Sequence, residues 1–99
     1  MRLVYRLRAG RDFAKARRWY EAQRPGLGAE FRQGVRAIEQ ILASHPDAFP
    51  RVHGEIRRAL VPRFPYAIYY QRLETDVLEI VACLHTSRRP GAPGTEGDA

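Results

Sequence analysis

The chain has 99 residues, 44% of them hydrophobic and 10% aromatic, which allows one domain with a modest core and excludes a wholly disordered protein. Sixteen arginines and one lysine give it a formal net charge of +6. This charge favours an anionic partner, which could be nucleic acid or an acidic protein segment. The alternative is a basic surface that is merely solvated. A single cysteine excludes an internal disulfide, and the sequence has no zinc spacing, secretory signal or membrane-spanning stretch, so we expect a cytoplasmic protein without cofactor, metal or membrane contact.

The N-terminal segment predicts a strand. Leu3, Tyr5 and Leu7 take one side of an alternating stretch over residues 2–8, and arginines lie mainly on the other side. A period of two is typical of a half-buried strand. We expect Gly10 to end it.

Two helices are predicted next. Residues 11–24 have a helical period that brings Phe13, Ala16 and Tyr20 to one face, and Pro25–Gly26 ends this helix. A longer apolar stripe then continues to about residue 44 and consists of Leu27, Phe31, Val35, Ile38 and Leu42. Because the link between the helices is short, we expect an antiparallel hairpin.

The second half of the chain predicts three strands, over residues 55–61, 64–72 and 77–85, with a loop before the first and a tight turn before the last. The last strand is almost continuously apolar and should lie centrally in the sheet. Its face toward the helices is expected to consist of Leu78, Ile80, Ala82 and Leu84.

The element order is therefore β-α-α-β-β-β. It predicts an α+β fold in which the helical hairpin packs on one face of a small, mainly antiparallel four-stranded sheet. We assign residues 1–90 to this single domain and residues 91–99 to a flexible tail rich in glycine and proline.

Three segments of the chain resemble the ParE branch of the RelE/ParE toxin superfamily. They are WYEAQRPGLG at residues 19–28, RRALVPRFPYAIYY at residues 57–70 and VACLHTSRRP at residues 81–90. With the element order, the resemblance covers about residues 2–90. It implies the toxin of a type II toxin–antitoxin pair of the plasmid-stabilisation type, which inhibits growth and is neutralised in a hetero-oligomer with its cognate antitoxin.

Members of this superfamily differ in their target. ParE-like toxins act on DNA gyrase, whereas RelE-like toxins are endoribonucleases that cut mRNA on the ribosome. The resemblance favours a gyrase inhibitor that is not itself an enzyme; the alternatives are a ribosome-dependent endoribonuclease and an inactive relative that only binds its antitoxin. RNA cleavage needs a base, an acid and cations near the phosphate, which Glu55, His85 and Arg63 would have to supply.

Basic residues near the ends of the last three predicted strands are the candidates for target binding. They are Arg57, Arg58, Arg63, His85, Arg88 and Arg89. Neighbouring antiparallel strands can bring such groups together at one end of a sheet, where arginines and aromatic rings can hold phosphates and stack bases. Any one of these arginines is more often a solvated surface residue, so the prediction depends on the cluster.

Aromatic residues are the candidates for antitoxin binding. They are Trp19, Tyr20, Tyr66 and Tyr69. Exposed apolar side chains beside arginines could receive an amphipathic partner helix. The alternative is that these rings pack between the hairpin and the sheet.

Overall fold

The computed structural model describes residues 1–87, which form a helical hairpin and a five-stranded sheet. The elements in chain order are β1 (Arg2–Tyr5), α1 (Leu7–Gln23), α2 (Leu27–Ser44), β2 (Arg51–His53), β3 (Ile56–Leu60), β4 (Tyr66–Glu74) and β5 (Val77–His85). The strands lie in the order β1-β5-β4-β3-β2. Arg88, Arg89 and the predicted tail lie outside the described residues.

The sheet differs from the prediction. The predicted α+β class is confirmed. The prediction of a mainly antiparallel sheet of four strands was wrong, because the sheet has five strands and is mixed. The additional strand, β2, has three exposed residues at the sheet edge, and so short an exposed strand has no apolar alternation to reveal it. β1 pairs in parallel with β5, because the chain crosses back through the helical hairpin before it enters the meander.

The first helix begins earlier than predicted. α1 starts at Leu7, so the strand before it ends at Tyr5 and is shorter than the expected residues 2–8. Leu7 is 71% exposed, so the third member of the apparent alternation is not part of a buried strand face. Gly10, expected to end the strand, lies inside α1, where a glycine costs about 1 kcal/mol relative to alanine but is tolerated.

The apolar stripe of α2 forms the core beneath the hairpin, as predicted. Phe31, Val35, Ile38 and Leu42 are all buried. Tyr20 of α1 stacks on Phe31 with ring centroids 5.3 Å apart, so the two helices are joined through aromatic contact as well as aliphatic packing.

The link between the helices is held by Glu21. Its carboxylate accepts hydrogen bonds from the backbone N–H groups of Gly26 and Gly28 at 3.0 Å, which lower the pKa of Glu21. A side chain at Gly28 would bring its Cβ to 2.9 Å from the carbonyl oxygen of Arg17. Glycine there therefore permits the close approach of α2 to α1.

A β-bulge divides β5 into two phases. Tyr70 pairs with Ile80 and Tyr69 with Ala82, which leaves Val81 as the extra residue. Leu78 and Ile80 consequently face the helices, whereas Ala82 and Leu84 belong to a second buried cluster with Tyr69. The predicted single face of Leu78, Ile80, Ala82 and Leu84 was therefore wrong, because one inserted residue moves every later side chain to the opposite face.

Candidate functional site

Two recesses flank helix α1, and both are built from residues that are distant in sequence. We call the recess between α1 and the ends of β4 and β5 the cleft; its volume is about 380 Å³. The recess between α1 and α2 is the groove, with a volume of about 410 Å³.

The cleft exists because β1 is shorter than β5. β1 ends at Tyr5, which pairs with Ile80, so among residues 1–87 the last residues of β5 extend past their neighbour on that edge. Asp12 of α1 lies there instead, and its Oδ2 accepts a hydrogen bond from the backbone N–H of Cys83 at 3.0 Å. The carboxylate thus satisfies a buried donor that the ladder leaves open.

The charge of Asp12 is partly compensated. Burial raises the pKa of this carboxyl group, and the hydrogen bond from Cys83 and the nearby Arg8 oppose that rise. The Nε atom of Arg8 lies 3.6 Å from Oδ2 of Asp12. Burial also raises the pKa of the Cys83 thiol, so this side chain lines the cleft as a small neutral group.

The aromatic walls of the cleft come from both the helix and the sheet. Trp19 is 57% exposed and meets the buried Tyr20 edge to face, with centroids 5.2 Å apart. Tyr66 is half-buried across the cleft and is the cross-strand partner of His85. The rings of Tyr66 and His85 are 5.4 Å apart and nearly perpendicular.

The orientation of the His85 ring follows from its neighbours. The backbone N–H of Ser87 donates to Nδ1 of His85 at 3.2 Å, and the Ser87 hydroxyl oxygen lies 2.9 Å from the same atom. Because Nδ1 accepts from this N–H, the neutral ring carries its proton on Nε2. His85 is exposed, so it presents an N–H donor at the end of β5.

The groove on the other flank of α1 has an apolar floor. Tyr5 and Phe13 form an edge-to-face pair 5.4 Å apart, and Phe31 and Val35 of α2 lie beside them. Tyr5 remains 41% exposed. An exposed aromatic floor of this kind is typical of a surface that packs against another protein.

The rim of the groove is cationic. Its arginines are Arg17, Arg32 and Arg36, of which Arg32 and Arg36 form no ion pair or side-chain hydrogen bond within the described part of the chain. Glu39 is the acid on this rim, and burial raises its pKa. The groove therefore combines apolar area with unneutralised positive charge.

The predicted target-binding residues are divided among three places. Arg57 is largely buried: its guanidinium donates to the carbonyl oxygen of Phe49 at 2.7 Å and pairs with Asp47 at 3.3 Å. Arg57 therefore holds the loop before β2. Arg58 is half-buried on the sheet, opposite Tyr69, with its Nε buried and unpaired among the described residues.

Arg63 and His85 share one end of the sheet. Arg63 is exposed in the turn between β3 and β4 and has a positive φ of 66°, the left-handed conformation that non-glycine residues rarely adopt. The backbone of Pro65 in this turn accepts a hydrogen bond from Thr86, which follows His85. Glu55 lies before β3 and pairs with Arg51 at 3.4 Å, away from His85.

The predicted antitoxin-binding rings are divided between the core and the surface. Tyr20 is 8% exposed and Tyr69 1%, so both are buried, whereas Trp19 and Tyr66 line the cleft. The sequence interpretation missed Asp12 and the groove. A signal for the groove exists in the spacing of Arg32 and Arg36, which are one helical turn apart on α2.

Two classes of feature are absent from residues 1–87. Within that range, no helix is both long and apolar enough to span a membrane. Those residues also contain no group of three or more histidine, cysteine or acidic side chains that could hold a metal ion.

Comparisons with known proteins identify a family and solved structures of similar fold. A family model described as the ParE toxin of type II toxin-antitoxin system, parDE, matches residues 3–90. A solved structure titled "Chromosomal ParDE TA system from P. aeruginosa" is similar with a TM-score of 0.73 and 16% sequence identity, covering 86% of this chain and 95% of that chain. At this identity the likeness concerns the fold alone. No curated protein matches the sequence.

Proposed function

The chain belongs to the ParE toxin family of type II toxin–antitoxin systems, and from this we propose that it inhibits DNA gyrase and that its cognate antitoxin occupies the groove. The observation that carries the proposal is the family match over residues 3–90, which includes every residue of both recesses. The toxin–antitoxin assignment follows from the family. The gyrase target and the binding surfaces are our additions.

The position of the acid–base residues supports gyrase inhibition over RNA cleavage. His85 is opposite Tyr66, whose carbonyl accepts a hydrogen bond from Val61 just after β3, whereas Glu55 precedes β3. The stretch from Glu55 to Val61 spans roughly 20 Å when extended. A general acid and a general base must both reach the same phosphate, and this separation does not suit such a pair.

The gyrase-contacting surface in our proposal is the end of the sheet where β5 finishes. Arg63 and His85 are exposed there, and Arg88 and Arg89 follow closely in the sequence. Cationic groups at this end would complement an acidic protein surface or DNA phosphates. Arg57 is a weaker candidate, because its guanidinium already holds its own loop.

The groove suits an antitoxin segment that is both acidic and amphipathic. Apolar side chains of such a segment would cover Tyr5 and Phe13, and its carboxylates would pair with Arg32 and Arg36. The arginines need not break existing ion pairs, since none is formed by these two within the described residues. Charge complementarity therefore selects an acidic partner over a second copy of this basic chain.

A supercoiling assay tests the target. Added to gyrase, ATP and relaxed plasmid, the purified protein should block the introduction of supercoils. Arg63→Glu combined with His85→Ala should raise the half-maximal inhibitory concentration by about tenfold. The new negative charge would be repelled by the acidic surface or phosphates that Arg63 is proposed to contact. Unaltered supercoiling together with ribosome-dependent cleavage of mRNA would identify a RelE-like ribonuclease instead.

A neutralisation assay tests the groove. Cells that express the toxin with the product of the neighbouring short reading frame should grow, and Arg32→Glu with Arg36→Glu should restore growth inhibition despite the antitoxin. The control is Arg11→Glu with Arg18→Glu, two exposed arginines of α1 outside the groove. Equal neutralisation of both double variants would remove the groove from the proposal but leave the gyrase target standing.

A further inference from the structure

We propose that the cleft beside Trp19 binds a nucleotide unit of a single-stranded nucleic acid, with the base against Trp19 and the phosphate near Lys15 and His85. This site adds a nucleic-acid ligand to a protein whose family name records only a toxin and its antitoxin. It does not depend on gyrase being the target.

The wall of the cleft is suited to a planar ring. Trp19 is held edge to face by the buried Tyr20, yet 57% of its surface is exposed. Tyr66 lies across the cleft and is itself supported by Phe31 at 5.4 Å. Aromatic side chains held in place in this way stack nucleobases with little sequence preference, because every base presents a π-face.

The cleft also offers donors for a phosphate. Lys15 is one turn before Trp19 on α1, so both side chains leave the helix on the same flank. His85 contributes its Nε2–H because Ser87 occupies Nδ1. The carboxylate of Asp12 attracts Lys15 and so reduces the positive charge of the cleft, but its Oδ2 already accepts from the Cys83 N–H and lies 3.6 Å from Nε of Arg8, which offsets part of that negative charge.

The volume and lining of the cleft favour a nucleotide over a peptide helix. The volume of about 380 Å³ is at the low end of the roughly 300–1,000 Å³ typical of small-ligand sites. An amphipathic helix needs an apolar surface such as that of Phe13, Phe31 and Val35 in the groove, whereas Asp12, Lys15 and His85 are among the residues that line the cleft. The mixture of rings with cationic and neutral donors fits one base and one phosphate.

Trp19 is the single tryptophan of the chain, so its fluorescence reports directly on the cleft. Titration of the full-length protein with 5′-phosphorylated oligothymidylate or oligouridylate should quench this emission saturably, with a dissociation constant on the order of 10⁻⁵ M at low salt. Preference for one oligomer would identify DNA or RNA as the source of the nucleotide, and equal binding would support the shared chemistry. Lack of saturable quenching by either oligomer overturns the proposal.

Variants separate a built site from general attraction to a basic protein. Fluorescein-labelled oligomer anisotropy should show about tenfold weaker binding for Lys15→Glu and for Trp19→Ala, and partial retention for Trp19→Phe. The matched charge reversal is Arg2→Glu, at an exposed residue opposite Val77, at the other end of β5 from His85. The proposal fails if Arg2→Glu weakens binding as much as Lys15→Glu does, or if polyglutamate quenches Trp19 where oligonucleotides do not.

Failure of the proposed nucleotide binding can be distinguished from failure of the proposed gyrase inhibition. Nucleotide binding without inhibition of supercoiling would refute the gyrase target and keep the cleft. Inhibition of supercoiling that survives Lys15→Glu and Trp19→Ala, together with no quenching by oligonucleotides, would keep gyrase as the target and remove the nucleotide.

Discussion

The groove and the cleft are separated only by the width of helix α1, yet their chemistries differ. The groove lies between two helices, so its floor is the apolar rim of their interface. Two of its arginines, Arg32 and Arg36, form no ion pair within residues 1–87. The cleft lies between a helix and the part of β5 that extends past the end of β1, so a backbone donor and polar side chains line it. One helix therefore borders two recesses of different chemistry, because its two flanks meet different secondary structure.

Phe31→Ala should have the largest effect, since this ring supports both recesses. Phe31 is 1% exposed, lines the groove and packs on Tyr20 and on Tyr66 of the cleft. We expect a loss of about 3–5 kcal/mol in the free energy of unfolding, a large part of the roughly 5–15 kcal/mol of a whole domain. Urea denaturation measures it, and Phe31→Leu should lose less. A loss below about 1 kcal/mol would show that the recesses do not share this support.

Asp12→Ala should affect the cleft alone. It leaves the buried Cys83 N–H without its acceptor, which costs about 1–3 kcal/mol. Asp12→Asn retains a side-chain oxygen and should be less destabilising. Neutralisation by antitoxin should persist in both variants, as the groove is unchanged. Thermal unfolding followed by circular dichroism gives the stability, and equal loss in the two variants would contradict the hydrogen-bond explanation.

Alanine substitutions at two helical glycines, Gly10 and Gly34, compare a position with open space around it with a closely packed one. A Cβ at Gly10 in the groove wall would have no atom within 4 Å, whereas one at Gly34 would meet Val61 at 2.9 Å. Gly10→Ala should therefore stabilise the protein by about 0.5–1 kcal/mol through better helix propensity, and Gly34→Ala should destabilise it. Melting temperatures that change in the same direction would contradict this account.

Glu39→Gln should give the smallest effect, and one that depends on pH. Burial raises the pKa of Glu39 above its ordinary value of 4.5, so the folded state binds this proton more tightly than the unfolded state. Wild-type stability contributed by this group is consequently highest at low pH and decreases as pH rises from 4.5 through the folded-state pKa. Glu39→Gln should raise the melting temperature near neutral pH. This gain should vanish when the pH is below 4.5, the ordinary pKa of a glutamate side chain. A pH-independent gain in calorimetry would assign the effect to something other than ionisation.

Several features were accessible from local sequence pattern. The stripe from Phe31 to Leu42 predicted the buried face of α2, and the apolar run after Val77 predicted a central strand. Each is a periodicity carried by consecutive residues, so no knowledge of distant partners is needed. The three segments that resemble ParE toxins identified the family, which the match over residues 3–90 confirms.

Other features depend on pairing between distant residues. The bulge at Val81 is invisible in a strand that is apolar throughout, although it decides which side chains of β5 face the helices. The sequence likewise does not show that Tyr20 and Tyr69 are buried while Trp19 and Tyr66 are accessible, because aromatic residues are common both in cores and at interfaces.

By itself, the sequence determined the toxin family, the helical hairpin and the basic charge, since composition and short-range period are properties of the chain before it folds. The tertiary structure decided where the charged side chains and the aromatic rings lie. β1 stops opposite Ile80, and this opens the cleft. The packing of α1 on α2 leaves Arg32 and Arg36 on the groove rim. The length of β3 separates Glu55 from His85. These arrangements follow from long-range register and helix packing, in which many weak contacts across the whole domain select one geometry.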